Sequence, residues 1–146
     1  MKSFKEFIKE NEDYRGSHGA PGPHFGDPLH KVTHSIYPKD IYSSKGSHLY
    51  GDGGNHSHLD KLSHNIIMKA KDKPDHQVTI HRAVPKHAGD EINKGDWVSG
   101  SKEYAKGHGE SVLGKGKYKI LSKTVPAKHV WTNGDSLHEW GYHPHD

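Results

Sequence analysis

Apolar positions along this chain change period, and each change marks an element. In QVTIHRAVP (77–85), Val78, Ile80, Arg82 and Val84 fall on one face and Thr79, His81 and Ala83 on the other, the alternation of a β-strand. KYKILSKTVP (117–126) predicts a second strand, stopped by Pro126. Helical spacing takes over in LDKLSHNIIMKA, where Leu59, Leu62, Ile66 and Ala70 form one stripe. Ser57 followed by Asp60 resembles a capping box there, and Lys73-Pro74 ends the element. GDWVSGSKEYAKGHGE predicts a short strand carrying Trp97 and Ser99 on one face, then a short helix from about Ser101. HVWTNGDSLHEWGY predicts two strands about Asn133-Gly134, a strong turn dipeptide. Small helices among short, largely antiparallel strands place the fold in the α+β class.

Before residue 59 the pattern thins. MKSFKEFIKE spaces Phe4, Phe7 and Ile8 as a short amphipathic helix, too short to persist without a partner. Residues 11 to 58 are rich in Gly, Pro, Ser and His, with Val32, Ile36, Tyr37, Ile41 and Tyr42 available to pin them down. Such a segment is ordered only by packing on the rest of the chain or on a ligand. The division expected is residues 1–10 as a leader or helix and 11–146 as a single domain, which 146 residues suit.

Composition removes several classes of function. Twenty-one Lys and Arg against eighteen acidic residues give a formal +3, too small and too scattered to be a nucleic-acid footprint by itself. With no cysteine there is no disulfide, thiolate metal site or cysteine nucleophile. No apolar run approaches membrane-spanning length, so no membrane partner is expected. Sixteen histidines raise the question of a metal, with His56 and His58, His30 and His34, and His143 and His145 as the closely spaced pairs. They form no compact ligand motif, and no metal is expected.

Three strand positions carry polar groups in apolar company: Arg82 in HRAVP, Ser99 in DWVSGS and Glu139 in SLHEWGY. Burying such groups unpaired costs roughly 2–7 kcal/mol each. Two arrangements meet that cost: a buried Arg–Glu bridge with the serine bonded to backbone, or a solvated cleft holding an anion. Spacing alone leaves both open.

An Arg on a first strand, a Ser-x-Ser at the end of a second strand leading into a helix, and a Glu on a late strand resemble the R-S-E signature of mono-ADP-ribosyltransferases. VTIHRAVP, GDWVSGSKEYAKGHGE, YKILSKTVPA and SLHEWGY are similar to the small transferase domains of many phage and bacterial proteins, over about residues 76 to 143. HGAPGP through YPKDIYSS is more weakly similar to the lead-in of those domains. The resemblance implies a split antiparallel sheet with short helices, and NAD as substrate. Glu139 would stabilise the oxocarbenium-like ribose as the nicotinamide bond breaks. Arg82 would hold the pyrophosphate or the adjoining ribose. The backbone of Ala83 would hold the nicotinamide amide, and Ser99 would orient Arg82 and Glu139. Ser101 would bind NAD or cap the following helix, and Tyr104 would pack near the nicotinamide or in the core.

The chain departs from the commonest pattern two residues before the glutamate. Many relatives place Glu or Gln there to engage the acceptor, and this chain has Leu137. On a regular strand Leu137 would share the face of Glu139, and His138 would point away. The acceptor, a host protein or nucleic acid, would then supply its own nucleophile, or water would serve and make the protein an NAD glycohydrolase. MKSFKEFIKE also looks like the capsid-targeting leaders of internal proteins in tailed phages, with Ile8-Lys9-Glu10 as the prohead-protease site. That resemblance implies carriage in the virion and delivery to the host bacterial cytoplasm, with the prohead protease and capsid interior as partners. A packaged, non-enzymatic protein retaining the fold and a His-rich metal-binding module are the competing readings.

Overall fold

A computed structural model describes residues 20–144; the amphipathic stretch and Ile8-Lys9-Glu10 lie outside the described residues. Residues 27–28 form a short strand β1, followed by helices α1 (Gly46–Tyr50) and α2 (Ser57–Ala70). Strands β2 (Gln77–Pro85) and β3 (Trp97–Val98) precede helix α3 (Lys102–Val112). Strands β4 (Tyr118–Pro126), β5 (Val130–Thr132) and β6 (Trp140–Tyr142) complete the described chain. All strand pairs among these are antiparallel: β2 with β4 in one sheet, and the order β1-β5-β6-β3 in another. The α+β class with antiparallel sheets holds.

Strand β2 keeps the alternation of its sequence. Val78, Ile80 and Val84 of β2 and Leu121 and Val125 of β4 are buried, and Arg82, on the same face, is half-buried. The sheets meet at one bridge, where His81 N–H donates to the Ser99 carbonyl at 2.7 Å and Ser99 N–H to the His81 carbonyl at 2.9 Å. This bridge brings the end of β3 against the middle of β2. Helix α3 packs across β2 and β4. A Cβ on Gly109 would stand 2.7 Å from the Tyr118 ring and 3.0 Å from Ala83 Cβ, so the bare glycine lets the helix seat directly over Ala83.

Packing orders the Gly/Pro-rich segment as its composition requires. Leu29, Val32 and Ile41 are fully buried in the core with Ile67, Ile80, Val130, Leu137 and Trp140. Each such aliphatic side chain contributes roughly 1.5–3 kcal/mol. Asp27, also buried, accepts from the backbone N–H of Ser35 at 2.6 Å and of Ile36 at 2.9 Å, and from the Ser35 hydroxyl at 2.7 Å. One carboxylate thus clamps a loop that has little secondary structure of its own.

Three sequence expectations are corrected. Helix α2 buries Leu59, Ser63, Ile67 and Ala70, whereas Leu62 is 53% exposed, because helix α1 and the turn at Leu29–Lys31 pack on the face one residue along from the expected stripe. Its N-cap is His56 and no side chain caps it; the Ser57 hydroxyl donates to the Gly54 carbonyl, and Asp60 turns to other partners. Asn133-Gly134 is not a two-residue hairpin turn either. Val130 pairs with Tyr142 and Trp131 with Gly141, so a longer loop joins β5 to β6 and Leu137, His138 and Glu139 precede the last strand.

Candidate active site

Strand β2, the bridge to β3, helix α3 and the approach to β6 converge on one cleft of about 130 Å³. Arg82, Ala83, Ser99, Tyr104 and Glu139 all line it, with Trp97, His108, Val112 and Leu113 among the other walls. The sequence drew these five from three separate stretches, and the fold brings them together. A space of this size takes one ring-sized group, so a larger ligand would extend over the open surface.

Arg82 enters with a fifth of its side chain exposed. Its Nη1 donates to the Trp97 carbonyl at 2.9 Å, and its Nε lies 3.7 Å from Asp96 Oδ2. Asp96, just before β3, is thus a carboxylate beside the arginine that the sequence did not single out. Trp97 O and Asp96 fix the guanidinium plane and leave it at the cleft wall.

The Ser-x-Ser pair builds the turn into α3. Ser99 Oγ accepts from Ser101 N–H at 3.1 Å, and Ser101 Oγ accepts from Tyr104 N–H at 3.1 Å as the N-cap of the helix. Ser99 lines the cleft; Ser101 is buried behind it and is not among the lining residues. The hydroxyl bond of Ser99 is thus to the helix start, not to Arg82 or Glu139 as expected.

That cap places Tyr104 against the glutamate. The Tyr104 hydroxyl donates to Glu139 Oε1 at 2.5 Å. Burial, then the charge of Glu139, push the Tyr104 phenol far above its ordinary range, so it stays a protonated donor at any physiological pH. His81, on the cleft wall, is shifted the other way by burial and by Lys102, and its Nδ1 meets the Ser122 hydroxyl at 2.7 Å.

Leu137 is fully buried in the core and does not line the cleft, which corrects the expectation that it faces the site. His138 does point away from the cleft, but not onto an outer strand face. It is fully buried, its Nε2 2.8 Å from Asp60 Oδ1 and its Nδ1 2.8 Å from Ser63 Oγ. Its ring stacks on Tyr104, with centroids 4.7 Å apart and planes at 22°. Carboxylate, imidazole and hydroxyl are connected as in a hydrolytic triad, but Ser63 is fully buried and no substrate reaches it.

Asp60 accepts from Asp52 N–H at 3.0 Å and Gly53 N–H at 2.8 Å as well as from His138. Burial works to raise its pKa, yet these donors outweigh burial and hold it below the usual carboxylate value. Asp52, Asp60 and His138 are also the group whose donor atoms lie close enough to share an ion among the described residues, all within 4.8 Å. Hydrogen bonds account for their arrangement. Sequence placed none of Asp60, Ser63 or Asp96 at the site, and read Asp60 only as a helix cap; the available signal was that Asp60 and Ser63 share the helix face of Leu59, Ile67 and Ala70.

Beyond Tyr104 and His108, which wall both spaces, lies a second cleft of about 430 Å³ edged by His56, His58, Glu103, Lys106 and Glu110. His58 Nε2 is 2.8 Å from Glu103 Oε2 across its rim. Among the described residues, no helix is long and apolar enough to cross a membrane. A scan against family models and searches of curated proteins and of solved structures find no match to this chain.

Proposed function

We propose that the chain is an NAD-dependent mono-ADP-ribosyltransferase with an ADP-ribosyltransferase-like fold. One observation carries this reading: Arg82, Ala83, Ser99, Tyr104 and Glu139, far apart in sequence, line a single cleft. Its dimensions suit a nicotinamide ring, with the rest of the dinucleotide running out past Arg82.

The reaction breaks the bond between nicotinamide nitrogen and ribose C1′. The bonding pair leaves with nicotinamide, and positive charge develops on the sugar. Glu139 stabilises that charge and accepts from a ribose hydroxyl, held in place by Tyr104. Arg82 offers its fork of donors to the phosphates, and the Ala83 backbone holds the carboxamide. The acceptor's nucleophile then bonds C1′ and gives up its proton. Because Leu137 is buried in the core, no side chain at that position selects the acceptor. A host macromolecule bearing its own nucleophile is the acceptor proposed, with water as the alternative that would make the protein a glycohydrolase.

Incubation with adenine-labelled NAD and bacterial lysate, followed by mass spectrometry of the products, tests the reading. Label on protein or nucleic acid supports transfer; free ADP-ribose alone supports hydrolysis; intact NAD overturns both.

A further inference from the structure

We infer that His138, anchored by Asp60, is a positioning residue for the Tyr104–Glu139 pair, an inference that rests on the transferase reading for its kinetic consequence. Two of the constraints on Glu139 lead to His138. Through the backbone, Glu139 is the next residue to an imidazole tied at both nitrogens, to Asp60 at 2.8 Å and to Ser63 at 2.8 Å. Through space, the phenol that donates to Glu139 belongs to a ring lying at 4.7 Å and 22° on the His138 ring. His56 adds edges to both rings, each at 6.3 Å.

The side chains around His138 leave it little freedom. Asp60 faces Nε2 with a carboxylate that its backbone donors keep ionised, so Nε2 carries a proton toward it. Asp52 lies further out, its Oδ2 3.7 Å from Nε2, and is engaged at 3.2 Å by His56. The ring is thus set in angle as well as depth, which a merely space-filling residue would not need. Tyr104 inherits that angle by stacking and passes it to the carboxylate.

A double-mutant cycle on nicotinamide release from NAD tests this. His138→Ala is expected to lower kcat about 10- to 100-fold with KM for NAD within about twofold, the cost of a misplaced carboxylate. If His138 acts through Tyr104, His138→Ala combined with Tyr104→Phe loses no more than the worse single variant. A kcat left unchanged by His138→Ala overturns the inference, and losses that multiply overturn the route through Tyr104, leaving the backbone alone to link His138 to Glu139. Cooperative thermal unfolding is checked first; if His138→Ala does not fold, His138→Asn and Asp60→Asn carry the same comparison. The carbon-13 carboxyl resonance of Glu139 gives a readout that needs no turnover. It is expected to move in the same direction in the His138 variant as in Tyr104→Phe, and an unmoved resonance overturns the positioning role. If the wild-type chain releases no nicotinamide, the transferase reading fails while the resonance still decides the role of His138.

Discussion

Tyr104 donates its phenolic hydrogen to Glu139 Oε1 at 2.5 Å, and the same ring stacks on His138, the residue beside that glutamate. A carboxylate in an apolar cleft is thereby held by a donor that cannot ionise at physiological pH. Tyr104→Phe keeps the stacking and loses the donor. It is expected to cost about 1–3 kcal/mol of stability, read by denaturant unfolding, and to lower NAD turnover about tenfold or more. Wild-type stability and turnover would show that the bond does not hold the carboxylate.

Arg82 is held by the Trp97 carbonyl and Asp96 through separate nitrogens, which a lysine cannot reproduce. Arg82→Lys preserves charge and loses the planar fork. NAD affinity, measured by calorimetry, is expected to weaken about tenfold. Unchanged affinity would return Arg82 to a purely structural ion pair.

Asp60 carries the clearest pH dependence. Its folded pKa lies below the ordinary carboxylate value, so the unfolded chain binds more protons there and stability rises with pH through that window. The contribution is complete above about pH 4 and is lost as pH falls through the lower folded value. Asp60→Asn is expected to destabilise by about 1–3 kcal/mol at pH 7, and the gap to wild type to narrow in acid. A gap that stays constant down to low pH would contradict the assignment.

The two glycines of α3 should respond in opposite directions. Gly109 sits against Tyr118 and Ala83, so Gly109→Ala is expected to lose about 1–3 kcal/mol by overpacking and to distort the cleft floor. A Cβ at Gly107 meets nothing within 4 Å, so Gly107→Ala is expected to gain about 0.5–1 kcal/mol from helix propensity. Paired melting curves separate the two effects.

Strand β2 was legible because its sequence alternates and Val78, Ile80 and Val84 share the buried face, down to the boundaries Gln77–Pro85, and β4 was legible by the stop at Pro126. The start of α3 was legible for a local reason, since Ser101 makes its own cap. Residues 133–139 were misread because Asn133-Gly134 favours a tight turn locally, while Leu137 and Trp140, both fully buried, draw a longer loop into the core. That override moved Leu137 away from the cleft. In α2 the error had a different origin. Leucine at 62 suggested the buried face, but Asp60 and Ser63 lie there because His138, distant in sequence, supplies the partners that make their burial affordable. Arg82, Ser99 and Glu139 stood out as polar groups in apolar strand contexts, and Ala83 and Tyr104 were reached through the resemblance, whereas the network behind them depends on long-range pairings that no local pattern encodes.

Release of nicotinamide from NAD by the purified chain, compared with Glu139→Gln, tests the central claim most directly. Gln keeps the size and hydrogen-bonding reach of the side chain and removes its charge. Turnover by the wild type and a loss of about a hundredfold or more in the variant are predicted, since the charge stabilises the ribose as the bond breaks. Equal release by both proteins, or none by the wild type, would contradict the account.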